Sequence, residues 1–231
     1  MLRVYRYKNL VYCGHNVSAS SLYESYCEEK NWIKIKYQDI DFTKDIVFGF
    51  ILDPLKRHKS GFYFDLKNYT AEEKQFILST ENIFKYFAIF SHHNLPLLNI
   101  HKENLEKIHW IPLDLNTQGV DGDIIHTADH KNMFCKLLNH IDVEPDLDLL
   151  ESIDLESKKR NLHRPDFNTT IEQIENLMTT SSGTGCCAMY IGLEKDFNLY
   201  DAVIKYTHHW NDSWDRVTWL NNRSTSGDFD G

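Results

Sequence analysis

The chain has 231 residues, and 34 acidic against 25 basic side chains give a formal net charge of -9. That balance argues against a general nucleic-acid binder, whose surface must attract a polyanion. With 42% hydrophobic and 13% aromatic residues, the chain is too apolar for disorder and long enough to bury the core of one α/β unit.

The opening, Met1 to Lys8, lacks the apolar core of a signal peptide, and no later run is long enough to span a membrane. The expectation is a soluble cytoplasmic protein with neither a membrane nor a nucleic acid as partner. Five cysteines (Cys13, Cys27, Cys135, Cys186 and Cys187) form no C-x-x-C pair and, without an export signal, are expected to be reduced thiols.

Leu10-Val11-Tyr12-Cys13 is a short apolar run that predicts a strand. Gly14-His15-Asn16-Val17-Ser18-Ala19-Ser20-Ser21 follows, and then a helical segment with Leu22, Tyr26 and Cys27 on one side. Small and hydroxyl residues let backbone N–H groups approach an anion at a helix N-terminus, where the dipole also favours negative charge. A nucleoside-triphosphate loop, G-x-x-x-x-G-K-[ST], would keep only Gly14 and Ser21. Ala19 and Ser20 stand where its second Gly and its Lys belong, so a kinase or GTPase is not expected.

Asp45 to Phe50 reads as a buried strand that turns sharply into a helix. Asp53 is a good N-cap and Pro54 suits the first helical position. Arg57 and Ser60, three residues apart, share a helix face, with Lys56 and Lys59 nearby. Such a set suits a dianion such as a phosphate, or forms a solvated basic face.

Beyond this segment, Thr70 and Glu73 form a capping box for a helix through Phe76 and Ile77. Ile83, Phe84, Phe87 and Ala88 recur at helical spacing. Asp129 is placed to cap a helix carrying Met133, Phe134, Leu137, Leu138 and Ile141, and Asn168 to cap one carrying Ile171, Ile174 and Leu177. Asp142 to Asp154 is acidic, a solvated connector or helix face. Ser181 to Gly185 is a flexible loop or an anion-contacting one. Strands alternating with helices predict a mainly parallel central sheet flanked by helices on both faces. Residues 1–220 are expected to form one domain and 221–231 a loose tail. Among twelve histidines, the adjacent pairs His92-His93 and His208-His209 lack metal-ligand spacing, so no metal is expected.

The pattern D-P-x-x-R-x-x-S-[AG]-[FY] after a strand resembles the 3′-phosphate-binding segment of sulfotransferases that use 3′-phosphoadenosine 5′-phosphosulfate (PAPS). The carbohydrate sulfotransferases and their microbial and viral relatives are nearest in pattern. Asp53, Pro54, Arg57, Ser60, Gly61 and Phe62 match as they stand, while Leu52 replaces the family's Arg. The family's 5′-phosphosulfate loop, roughly Lys-x-[Gly/Ala]-Ser-Thr-Ser, overlays Asn16 to Ser21, with Asn16 in place of the Lys and His15 adjacent. His93 and Pro96 fit a His-x-x-Pro element, and His109-Trp110-Ile111-Pro112 copies its letters in the strand that follows. Asp196, Phe197, Leu199 and Tyr200 match a C-terminal helix.

The resemblance implies a P-loop-like sulfotransferase fold and transfer of a sulfuryl group from PAPS to a hydroxyl of a carbohydrate or small metabolite. His15, Asn16, Ser18, Ala19, Ser20 and Ser21 would line the phosphosulfate site, and Arg57 and Ser60 would hold the 3′-phosphate. His93, rather than His109, would serve as general base, with no metal. A cytoplasmic microbial or virus-encoded enzyme fits this reading. With Asn16 and Leu52 in place of cations, the alternative is a catalytically impaired relative that binds a nucleotide or a protein partner.

Overall fold

The computed structural model describes residues 2–15, 20–79, 82–91, 93–113, 130–162, 170, 172–174, 176 and 185–207. Two strands open the fold as a hairpin, β1 (Arg3–Tyr7) and β2 (Leu10–Gly14), joined by Lys8 and Asn9 with Lys8 at φ 53°. A connection this short forces antiparallel pairing, because a parallel neighbour needs a crossover. The short strand β3 (Ile33–Ile35) pairs antiparallel with the outer edge of β1. On the other side β4 (Ile46–Ile51) runs parallel to β2, and β5 (His109–Pro112) parallel to β4.

The order is therefore β3-β1-β2-β4-β5. The expectation of an α/β fold holds, but the sheet is mixed, with two parallel and two antiparallel pairings. The antiparallel half was not foreseen because Arg3, Arg6 and Lys34 interrupt its apolar runs.

Strand alternation sorts the core into layers. Leu10, Tyr12, Ile46, Phe48, Phe50 and Ile111 face one side. They pack against the helices α1 (Ser20–Glu29), α6 (His130–His140) and α7 (Leu147–Leu162), through Leu22, Tyr23, Tyr26, Phe134 and Leu150. Val11, Cys13, Val47, Ile51 and Trp110 face the other side, with Leu97, Leu105 and Leu199. The latter residues come from α5 (Leu97–His101), the 3-10 turn Lys102–Lys107 and the long helix α8 (Gly185–Thr207). A third cluster joins α2 (Pro54–Leu66), α3 (Ala71–Ile77), α4 (Ile83–Phe87) and α8 through Phe62, Leu66, Ile77, Ile83, Phe87 and Leu193.

Every residue of β2 and β4 is buried, as befits strands covered on both faces. Cys13 and Cys27 are buried thiols, and burial pushes both thiols up, away from the thiolate. No helix among the described residues is long and apolar enough to cross a membrane.

Candidate functional site

β2 and β4 lie side by side and point the same way, so the helices that follow them start from one edge of the sheet. In open α/β sheets this edge, at the carboxyl ends of parallel strands, is where ligands settle. The two helix starts differ in charge. At α2, Asp53 is the N-cap as expected and its Oδ1 accepts the Lys56 N–H at 2.8 Å, with Pro54 in the first turn. A carboxylate thus already occupies that N-terminus. The first turn of α1 contains no acidic residue and begins Ser20-Ser21. It is the end of the pair better suited to an incoming anion.

His15 ends β2's approach to that turn and is buried. Its ring stands edge-on to His101, with centroids 6.2 Å apart, and to Trp110 at 5.7 Å. Burial holds its pKa well below the ordinary histidine range, and the positive charge of Arg57 adds to that effect. His15 is therefore neutral near pH 7. Ser20 is the first residue of α1 and Ser21 is exposed beside it. Asn16, Ser18 and Ala19 lie outside the described residues.

Arg57 is fully buried, at 1% exposure. Its Nη2 donates to Asp196 Oδ2 at 2.8 Å and its Nη1 to the Leu95 carbonyl at 2.9 Å. The Asp196 carboxylate also accepts the Leu97 N–H at 2.9 Å. One ion pair thus ties α2, the start of α5 and α8 together. Burial raises the Asp196 pKa and lowers that of Arg57, and the attraction between the two opposes both shifts. In this arrangement the guanidinium faces protein acceptors rather than solvent. Ser60, one turn further on, is half-buried. Sequence reasoning placed Asp196 only in a structural helix, and no local signal marks a partner so distant along the chain.

Two more buried histidines flank the pair. The His58 Nε2 donates to the Phe87 carbonyl at 2.5 Å, and burial lowers its pKa to about 4. The His101 pKa is lowered to about 3, first by burial and then by Arg57.

His93 belongs to the segment before α5 and packs against the far part of α2. Its Nδ1 contacts Asp65 Oδ1 at 2.7 Å, and its ring stacks on Phe64 at 5.8 Å. Asp65 is twelve residues beyond the Asp53 cap, about 18 Å along the helix axis. The structure thus sets His93 near the turn that carries Ser60 and Gly61, and toward the end of α2 remote from the cap. His109 belongs to β5, as the apolar run around it suggests.

A groove of about 350 Å³ is lined by Leu98, Lys102, Leu105, Lys195 and Leu199 among others, and Leu98, Lys102 and Lys195 are the sequence neighbours of Leu97, His101 and Asp196. Among the described residues, no three His, Cys, Asp or Glu side chains gather where a metal ion could be held. No family model matches this chain, and no curated protein or solved structure matches it either.

Proposed function

We propose that this chain is a PAPS-dependent sulfotransferase acting on a hydroxyl of a carbohydrate or small metabolite. The observation that carries the reading is the pairing of two strand-turn-helix units, β2 to α1 and β4 to α2, on one sheet edge. Of the two matching segments, the described residues that stand at that edge are Ser20 and Ser21 at the start of α1 and Asp53 and Pro54 at the start of α2. Sulfuryl transfer needs in-line alignment and charge stabilisation at the leaving oxygen, which backbone N–H groups at a helix start can supply. In this reading the start of α1 holds the phosphosulfate and Ser60 contacts the 3′-phosphate; His93 is the base that the resemblance implies, although it stands toward the end of α2 away from that edge. Arg57 fixes the helix that presents Ser60.

A second reading, a relative that binds the nucleotide or a protein partner without transfer, is favoured by one specific arrangement. Arg57 is held by Asp196 and Leu95, and His15 is neutral, so the edge has fewer free cations than the family pattern supplies.

Calorimetry with adenosine 3′,5′-bisphosphate, followed by a transfer assay with PAPS and a panel of hydroxyl acceptors, separates the two. Binding with transfer supports the enzyme, and binding without transfer supports the second reading. Absence of binding overturns both nucleotide readings.

A further inference from the structure

From the contacts around Gly61 we infer that Asp65 is a positioning residue for His93, fixing its ring so that Nε2 is the accepting nitrogen. The inference rests on the transferase reading for its use in catalysis, but its geometry stands by itself.

The assembly begins with a glycine inside a helix, where it costs roughly 1 kcal/mol against alanine. A Cβ on Gly61 would lie 2.6 Å from the Asn94 Cβ and 3.0 Å from the His93 carbonyl carbon. The bare backbone therefore lets the segment 93–94 lie directly on α2. That segment is itself braced. The Ser91 N–H donates to Asn94 Oδ1 at 2.5 Å, and the His93 N–H donates to Ser91 Oγ at 3.0 Å. Asp65 follows Gly61 by four residues and so lies on the same helix face.

The His93 ring is held on two sides, by the Asp65 carboxylate at its Nδ1 and by the Phe64 face. A carboxylate only accepts, so Nδ1 donates, and the neutral ring keeps its lone pair on Nε2. A carboxylate that holds an imidazole in one tautomer is how a base is oriented in hydrolytic triads. Both side chains are about a quarter exposed, at 24%, which leaves the pair accessible from solvent.

The test uses the full-length protein, with nitrogen-15 NMR of the histidine rings and the transfer assay run together on wild type, Asp65→Ala and Asp65→Glu. The expected result is a His93 ring protonated on Nδ1 in the wild type. In Asp65→Ala the proton moves toward Nε2, while bisphosphate affinity stays the same. Transfer should fall about tenfold or more in kcat, a fraction of what a general base supplies, and Asp65→Glu should restore part of it. A neutral wild-type ring protonated on Nε2 alone, or a tautomer indifferent to Asp65→Ala, overturns the inference whatever the activity. If the tautomer moves as expected and the wild type transfers nothing, the role of Asp65 is upheld and the transferase reading fails.

Discussion

Two basic side chains meet carboxylates along α2, at positions eight residues or about 12 Å apart. At Arg57 the partner is Asp196, and both side chains are sealed, at 2% and 1% exposure. At His93 the partner is Asp65, and both remain in contact with water, at 24%. Hydration decides what each pair can do. A sealed ion pair cannot exchange its partner for a ligand without stranding a charge in the interior. A hydrated pair can accept a neighbour from solution. The same helix therefore carries a clamp at one level and a chemically approachable group at another.

Removing Arg57 is the most severe way to probe that contrast. Arg57→Ala leaves the Asp196 carboxylate buried alone, and stability should drop by about 3–5 kcal/mol. Urea denaturation would measure it. Arg57→Met with Asp196→Leu should be far milder, because no charge is left behind. If Arg57→Ala is neutral to stability, the clamp is not what the geometry indicates.

Acid should act on the sealed region next. An unfolded imidazole takes up a proton near pH 6.5, whereas His58 in the fold resists until about 4. The unfolded chain thus binds more protons between those values, and stability complete above pH 6.5 is lost as pH falls toward 4. For His58 alone the loss is on the order of 3 kcal/mol. His101 and His15 push the same way. Melting temperatures across this window should fall steeply in the wild type and less so in His58→Gln. A flat profile would mean that these imidazoles are hydrated.

Gly61→Ala sharpens the other side of the comparison. The added methyl gains helix propensity but meets Asn94 and His93, for a net loss of about 1–2 kcal/mol. The His93 NMR signals should shift with it, since the segment 93–94 must lift from α2. Thr70→Ala, in a surface capping box where Thr70 Oγ1 accepts the Glu73 N–H, should cost about 1 kcal/mol and leave both pairs untouched.

What the sequence made legible was local. The cap at Asp53, the first-turn Pro54, the box at Thr70 and Glu73, and the buried stripe Met133, Phe134, Leu137 and Leu138 all follow from neighbours a few residues apart. Strands β2, β4 and β5 were readable because they are continuous apolar runs. The site was less legible because its partners are remote: Arg57 and Asp196 are 139 positions apart, and Asp65 and His93 are 28 apart. Arg57 and Ser60 share a helix face as their spacing requires, but spacing does not say whether that face looks toward solvent or toward another helix. The caps expected at Asp129 and Asn168 and the loop at 181–184 lie outside the described residues.

The Lys8-Asn9 turn has a consequence for the order in which the molecule assembles. It brings β1 and β2 together across two residues, whereas 31 residues separate β2 from β4 and 57 separate β4 from β5. Closing longer loops is entropically slower, so the hairpin should form first and the parallel half condense upon it. Pulse-labelling hydrogen exchange during refolding would show amides of β1 and β2 protected before those of β4, and the opposite order would refute this. The edge where α1 and α2 begin is then among the last parts of the protein to exist, and a ligand bound there would act on a late folding step.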